Sequence, residues 1–270
     1  DVARENDKKE MPPFMVINSR GGTGYHATDL ATVVDRVETL HPDRMLYVVD
    51  QRQALHFEQV FRAADLAGLM AEDRMEHIGF GTVNGDDGKP FKTREGGVLR
   101  LADLNRMALE EAERKIGEAG LSGDIGEEER LKISQLVARA ALRFADLQNV
   151  RTTNYVFDLD RFTSFEGKTG PYLLYAAVRI KSLLRRAKDA GNLPGEVKIE
   201  RDTERALVLA MDGFANALAQ SHAKRQPHIL CEHVYSLAQA FSALYADAPI
   251  ANESDAEVRA SRLGLCEAVL

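Results

Sequence analysis

An apolar run leads directly into a helical pattern at Met45-Leu46-Tyr47-Val48-Val49-Asp50-Gln51-Arg52-Gln53-Ala54-Leu55-His56-Phe57. Such a short, β-branched run predicts a strand that is buried on both faces, as the strands of parallel sheets are. Residues 14–18 form a similar run, and residues 29–40 between the two runs carry apolar side chains at helical spacing. A strand–helix–strand order with this crossover length predicts a right-handed parallel unit.

The α/β pattern continues to residue 83 and then gives way to helices. A helix over 52–67 and a third strand over 77–83 complete the first part. Helical patterns follow at 104–119, 127–147, 171–190, 202–221, 229–245 and from 255 to the end. The sequence therefore predicts an α/β fold followed by an all-α fold.

The composition excludes several classes of protein. The chain has 270 residues, of which 44% are hydrophobic and 29% are charged, and this balance is too apolar for a disordered chain. Its apolar runs are too short for a membrane-spanning helix, and its first ten residues do not resemble a signal peptide. Cys231 and Cys266 form no CxxC pair, which favours a reducing cytoplasm. The net charge of −7 taken alone argues weakly against a nucleic-acid partner.

A glycine-flanked basic loop at 84–97 is the first candidate for a binding site. Lys89, Lys92, Thr93 and Arg94 follow a predicted strand, so the loop could close on a polyphosphate and neutralise charge on its oxygens. The loop does not contain the GxxxxGK[ST] pattern of a Walker loop. The alternative is a solvated charged hairpin.

Tyr25 and Asp29 form the second candidate. Their i, i+4 spacing places a phenol and a carboxylate on one face of a helix, near its N-terminus. They follow the predicted strand at 14–18, where open α/β sheets bind ligands. A carboxylate there suits a guanidinium, which it can pair in bidentate fashion. The alternative is an acid that complements the helix dipole.

Gln53 and His56 form the third candidate, at the end of the predicted strand over 45–50. At i, i+3 spacing both side chains could face one crevice. The alternative for His56 is a surface or capping group.

A basic helix in the second part is the fourth candidate. Six basic residues and no acid lie between Lys168 and Lys188. At helical spacing one face combines aromatic, hydroxyl and basic side chains: Tyr172, Tyr175, Arg179, Ser182 and Arg186. A second face carries only basic side chains: Lys181, Arg185 and Lys188. Rings beside guanidinium groups suit single-stranded RNA, and the alternative is that the tyrosines pack in a helical core.

No metal site is predicted. His222, His228, Cys231 and His233 lie close together in the sequence, but they lack the spacing of metal ligands. His77-Ile78-Gly79-Phe80 resembles the start of a HIGH signature and lacks its second histidine.

Several motifs occur together in one order. Residues 25–31 match a YxxTDLA segment, residues 47–57 match YVVDxRQxLHF, and residues 77–83 with 88–97 resemble a KMSK-type loop. Residues 144–147, 155–158 and 164–173 add three further segments. Because these segments occur together, the chain resembles the class I arginyl-tRNA synthetases over nearly its whole length.

The resemblance implies a domain organisation. A partial Rossmann-like catalytic domain with a parallel sheet is expected at residues 1–100, with a helical connecting region at 101–165. A helical-bundle anticodon-binding domain is expected at 166–270.

The resemblance also implies roles for the candidate residues. Lys92, Thr93 and Arg94 would act in catalysis at the KMSK position. Tyr25 and Asp29 would recognise the guanidinium of L-arginine, and Gln53 would contact the amino acid. Residues expected at the ATP site are His56, Gly79, Lys89 and Arg94. Residues expected to bind tRNA are Tyr172, Tyr175, Arg179 and Arg186.

The implied reaction has two steps. L-arginine and ATP form arginyl-adenylate and pyrophosphate, and the arginine tRNA then accepts the arginyl group. Mg²⁺ would accompany ATP, and positioning and electrostatics would supply the catalysis. The expected partners are L-arginine, ATP and arginine tRNA, with no membrane, in a cytoplasmic monomer.

The chain also departs from the family pattern. We find no upstream HIGH motif and no amino-terminal tRNA-elbow domain, and the family's usual tail does not follow residue 270. We therefore expect a fragment that does not form adenylate alone. The alternatives are a non-catalytic RNA-binding module derived from such a synthetase and another nucleotidyl-transferring enzyme of the same α/β class.

Overall fold

The computed structural model describes residues 2–85, 88–89, 100–118 and 126–270. They divide into two compact units. The first unit comprises Asp1–Thr82 with Thr152–Asn154, and the second comprises Val83–Arg151 with Tyr155–Leu270. The first unit contains a parallel sheet flanked by helices and the second is almost entirely helical, so the predicted change from α/β to all-α is confirmed. Among the described residues, no helix combines the length and the apolar character needed to cross a membrane.

The first unit is built on two strands that pair in parallel. Its elements are α1 (Tyr25–Leu40), β1 (Met45–Asp50), a 3₁₀ turn (Gln51–Gln53), α2 (Ala54–Leu66), a second 3₁₀ turn (Glu72–Arg74) and β2 (Met75–Phe80). The register pairs Met45 with Met75 and Asp50 with Phe80. Because parallel strands need a crossover, α2 returns the chain to the start of β2.

One face of this sheet carries the core of the first unit. Alternate side chains of β1, Met45 and Tyr47, are buried against apolar residues of the flanking helices. Those partners are Val33 of α1 and Phe57, Val60, Phe61 and Ala64 of α2. The intervening side chains of β1 are exposed, with Val48 at 64%. The prediction that β1 is buried on both faces is therefore wrong among the described residues.

The predicted strand at 14–18 is also wrong. Its side chains are largely exposed, with Ile17 at 63%, and its only β-bridge in the described part of the chain joins Ile17 to Thr23. The Asn18 side chain accepts hydrogen bonds from the backbone of Arg20 and Gly22, which turns the chain at this point. An apolar run becomes a buried strand only where a neighbouring strand satisfies its backbone groups.

The second unit is a set of helices with one very short parallel strand pair. Its elements are β3 (Val83–Asn84), α3 (Leu101–Glu118), α4 (Glu127–Leu147), β4 (Tyr155–Val156), α5 (Leu159–Phe162), α6 (Gly170–Asp189), α7 (Asp202–Asp212), α8 (Phe214–Lys224), α9 (Pro227–Asp247) and α10 (Ala256–Val269). The predicted single helix over 202–221 is interrupted at Gly213. Glycine is a poor helix former, and this glycine lies against the ring of His233, where a Cβ would come within 3.3 Å of Cε1.

The largest core of the second unit lies between α6, α7, α9 and α10. Its most deeply buried side chains include Leu183, Leu207, Phe241, Leu244 and Leu263.

The helix α4 also approaches the start of α6 closely. A Cβ at Gly170 would overlap the carbonyl oxygen of Ala140, so the approach requires glycine there.

A buried ion pair joins α7 to α10. Arg262 Nε donates to Glu204 Oε1 at 2.8 Å, and the two side chains are 3% and 1% exposed. Glu204 Oε2 also accepts from the backbone amides of Glu200 and Arg201, at 2.8 and 3.1 Å. Burial raises the pKa of Glu204, but the hydrogen bonds from Arg262 and the two amides outweigh it and lower the pKa below its ordinary value.

Arg262→Met is expected to reduce the free energy of unfolding of the second unit by about 3–5 kcal/mol, because it leaves the Glu204 carboxylate buried without its cation. Urea denaturation followed by circular dichroism measures this loss. Lys198→Met is the matched control, since it removes an exposed ion pair to Glu257 and should cost far less. Equal losses of stability in the two variants would contradict a stabilising role of the buried ion pair between Arg262 and Glu204.

A second ion pair ties the amino-terminal segment to α2. Arg62 donates through Nη1 and Nη2 to Asp7 at 2.8 and 2.7 Å, through Nη1 to the carbonyl oxygen of Val2 at 3.1 Å, and to Glu58. The hydrogen bond from the Arg62 side chain is the main cause that lowers the pKa of Asp7 to about 2.

The Asp7 pair is expected to make the first unit sensitive to acid. Because the folded pKa of about 2 lies below the ordinary value of 3.8, the stability from Asp7 is present above pH 3.8 and is lost as the pH falls toward 2. The stability difference between the wild type and Asp7→Asn, measured by urea denaturation from pH 5 to pH 2, should shrink across that window. A constant difference would count against the pair.

Candidate functional site

Two predicted site residues lie near the N-terminus of α1. The helix begins at Tyr25, so Tyr25 and Asp29 lie one turn apart on the same face, as the i, i+4 spacing predicted. Tyr25 is 85% exposed, and the side chain of Asp29 is 33% exposed. A phenol and a carboxylate that both reach solvent are available to a ligand.

The carboxylate of Asp29 meets His56 of α2. Asp29 Oδ2 lies 2.6 Å from His56 Nε2, and the histidine side chain is 21% exposed. The sequence predicted a role for each residue, but it gave no indication that the two form a pair. The packing of α1 on α2 brings them together.

A row of rings surrounds this pair. The ring of Phe14 lies 4.7 Å from that of His26, and His26 stacks on His56 at 5.1 Å. Phe57 presents its edge to His56 at 5.2 Å and stacks on His77 at 5.4 Å. His26 was not predicted as a site residue, because it occupies an unspecified position of the motif over 25–31 and the sequence does not indicate its stacking partner.

The carboxyl end of β1 is closed by a short hydrogen-bonded turn. The Asp50 side chain accepts from the backbone amide of Arg52 at 2.8 Å and from its guanidinium at 2.9 and 2.6 Å. These bonds, led by the one from the Arg52 side chain, lower the pKa of Asp50 to about 2. Gln53 ends this turn and is exposed. Among the described residues, no hydrogen bond joins the Gln53 side chain to Asp29 or His56.

Gly79 lies next to this turn. A Cβ at this position would come within 3.0 Å of Gln51 Cα and 3.2 Å of His77 Cε1. The close packing of β2 on the turn therefore explains the glycine, and its predicted place at the ATP site stays a prediction.

The KMSK-type loop is only partly described. Lys89 is one of the described residues, and its carbonyl oxygen accepts a hydrogen bond from the backbone amide of Gly85 at 2.8 Å. The predicted catalytic residues Lys92, Thr93 and Arg94 lie outside the described residues.

The predicted RNA face of α6 contains two different environments. The ring of Tyr172 packs against that of Tyr235 at 5.6 Å, and its hydroxyl lies 3.3 Å from Ser242 Oγ, which makes it largely a packing residue. Tyr175 is exposed, and Arg179 donates through Nη2 to its hydroxyl at 2.9 Å.

The guanidinium of Arg179 lies between two tyrosine rings. Its Cζ lies 4.6 Å from the ring centre of Tyr175 and 5.0 Å from that of Tyr245 on α9. Tyr245 was not predicted, because it belongs to a helix distant in the sequence. Arg186 lies on the exposed surface, where its Nε donates to the Ser182 carbonyl oxygen at 3.4 Å.

The cysteine and histidine residues of α8 and α9 do not form a metal site among the described residues. Burial raises the pKa of Cys231, which disfavours a thiolate. His228 Nδ1 and His233 Nε2 are buried without a hydrogen-bond partner within the described ranges.

Two family models match the chain in tandem. The model described as tRNA synthetases class I (R), catalytic domain, matches residues 4–159, and the model described as DALR anticodon binding domain matches residues 173–270. The catalytic-domain match spans the α/β unit and the helices α3 and α4, and the second match covers most of α6 and the helices α7 to α10.

Named relatives are similar along the whole chain. The arginine–tRNA ligase of Hyphomonas neptunium is 68% identical over 270 residues, in a match that covers 99% of this chain and 46% of the relative. The arginine–tRNA ligase of Maricaulis maris is 55% identical, covering 100% of this chain and 46% of the relative. The chain thus spans about half the length of the curated relatives that it matches.

Solved structures have the same fold. The arginyl-tRNA synthetase of Plasmodium falciparum matches with a TM-score of 0.76 at 26% identity, covering 99% of this chain and 44% of that chain. The Thermus thermophilus arginyl-tRNA synthetase has a TM-score of 0.78 at 24% identity, covering 94% and 47%, and supports the fold alone. With a catalytic-domain model that matches more than half of its residues, the chain belongs to the class I arginyl-tRNA synthetase family.

Proposed function

We propose that the protein acts as an arginine–tRNA ligase, with this chain supplying the recognition of arginine and a surface for tRNA. The observation that carries the proposal is the Asp29 carboxylate, which lies one turn after Tyr25 on the same face of α1 and is partly exposed. A carboxylate in this position suits the planar guanidinium of arginine, which donates two parallel hydrogen bonds to it.

The other substrate contacts follow from the same site. Tyr25 adds a hydroxyl on the same face of α1, and Gln53 presents an amide at the start of α2. By the resemblance, Lys89, Lys92, Thr93 and Arg94 would bind the phosphates of ATP, and Gly79 would contact the nucleotide. Mg²⁺ enters with ATP as part of the substrate.

The reaction has two steps, and each step forms one bond and breaks another. A carboxylate oxygen of arginine attacks the α-phosphorus of ATP, and the bond to the β-phosphate breaks to release pyrophosphate. A hydroxyl of the terminal ribose of tRNA then attacks the arginyl carbonyl carbon, and AMP leaves. Charge develops on phosphate and carbonyl oxygens in both steps, so fixed cations and hydrogen-bond donors stabilise the transition states.

The tRNA surface of the proposal is the exposed face of α6. Tyr175 and Arg179 form a stack that also includes Tyr245, and Arg186 lies farther along the same face. Aromatic rings and guanidinium planes bind unpaired bases by stacking, while arginines also attract phosphates. We expect a monomer that works in the cytoplasm.

Transfer of arginine to tRNA tests the activity directly. This chain would replace the corresponding segment of the Hyphomonas neptunium relative, to which it is 68% identical, and the chimera would be assayed with radiolabelled arginine and arginine tRNA. Charging is expected. A folded chimera that binds tRNA without charging it would favour a non-catalytic RNA-binding module.

Asp29→Asn is expected to weaken L-arginine binding by about 10- to 100-fold, because the amide removes the charge that pairs with the guanidinium. Titration calorimetry with L-arginine measures the change, and neutral L-citrulline should show a smaller difference between the wild type and the variant. Asp35→Asn is the matched control, since Asp35 is an exposed acid on the same helix. Equal effects of the two substitutions would contradict the role of Asp29.

Arg179→Ala combined with Arg186→Ala is expected to weaken binding of arginine tRNA by more than about tenfold, since each arginine would lose base or phosphate contacts. Gel-shift titration at fixed salt measures the affinity, and circular dichroism checks the fold. Lys181→Ala combined with Arg185→Ala removes the same charge from exposed positions on another face of α6. A loss of equal size in this control would assign the effect to net charge alone.

A further inference from the structure

The side chain of His56 forms a hydrogen bond with the carboxylate of Asp29. The two residues come from different helices, and their side chains meet at 2.6 Å between Nε2 and Oδ2. The pair is partly shielded from water, which strengthens the hydrogen bond relative to one at the open surface.

The ring of His56 is itself held by its neighbours. His26 stacks on it with an angle of 27° between the ring planes, and Phe57 meets it edge-on at 78°. Contacts to a face and to an edge restrict rotation of the imidazole. The direction of the Nε2 atom toward Asp29 is therefore set by packing.

Asp29 still has capacity for a ligand. Within the part of the chain that the structure describes, its Oδ1 atom has no hydrogen-bond partner, while Oδ2 is engaged by His56. The last torsion of an aspartate side chain is broad, so a carboxylate without such a partner samples many orientations of its plane. A bidentate guanidinium contact requires one orientation.

We propose that His56 is a positioning residue for arginine recognition: its Nε2–H donates to Asp29 and fixes the plane of the carboxylate that receives the guanidinium. This donation requires a proton on Nε2, and it leaves Oδ1 of Asp29 for the substrate guanidinium. This inference rests on the proposed function, and it differs from a contact between His56 and ATP.

Three variants of the full chain separate the hydrogen bond from the ring stack. His56→Phe keeps a ring for stacking and removes the donor. His56→Gln keeps an N–H donor of similar reach. His26→Phe is the matched control, because it keeps a ring against His56 and leaves the bond to Asp29 in place.

Titration calorimetry with L-arginine and, separately, with ATP gives the decisive comparison. His56→Phe should weaken L-arginine binding by about tenfold, since it removes a hydrogen bond to a charged group. His56→Gln should restore most of that loss, His26→Phe should bind L-arginine as the wild type does, and none should change the affinity for ATP.

Different outcomes overturn different statements. Unchanged L-arginine binding by His56→Phe, with binding still lost in Asp29→Asn, would overturn the role of His56 and leave the proposed function standing. Weaker ATP binding with unchanged L-arginine binding would assign His56 to the nucleotide. A wild-type chain without L-arginine binding would overturn both.

Nitrogen-15 NMR of the histidine rings provides a readout that does not depend on ligand binding. The Nε2 atom of His56 should carry the proton, and Asp29→Asn should shift its resonance while Asp35→Asn should not. An unprotonated Nε2, or a resonance insensitive to Asp29→Asn, would overturn the inference.

Discussion

The parallel pairing of β1 with β2 is the constraint on which the first unit depends. Because parallel strands cannot be joined by a tight turn, the chain must cross over through α2, and α1 packs beside that helix. This arrangement brings the N-terminal turn of α1 to the start of α2. The contact between Asp29 and His56 is made by two helices that pack beside this strand pair, although neither residue belongs to a strand.

The two units use buried or partly buried carboxylates in opposite ways. Glu204 is fully buried, and its oxygens are taken up by Arg262 and two backbone amides, so it stabilises the packing of α7 and α10. Asp29 is partly exposed and engages one histidine, which leaves it able to pair with a cation. A buried carboxylate needs all its partners inside the fold, whereas a partly exposed one can leave an oxygen accessible from solvent.

The errors of the sequence predictions have physical causes. Most helices were predicted closely, because the spacing of apolar residues along a helix indicates which face is buried. Both ends of the helix over 127–147 were predicted correctly. The apolar run at 14–18 failed as a strand, because strand formation depends on a neighbour that periodicity does not reveal. The interruption at Gly213 was missed, because the apolar spacing continues across this glycine, whose close approach to His233 is a tertiary contact.

The sequence by itself determined the family, through several motifs that follow one another along the chain. It also placed Tyr25 and Asp29 on one helix face, because the i, i+4 relation is local. Only the tertiary structure decided that His56 contacts Asp29 and that Tyr245 joins Tyr175 around Arg179. These residues are far apart in the sequence, and helix packing decides which of them meet. Sequence spacing carries no record of those distances.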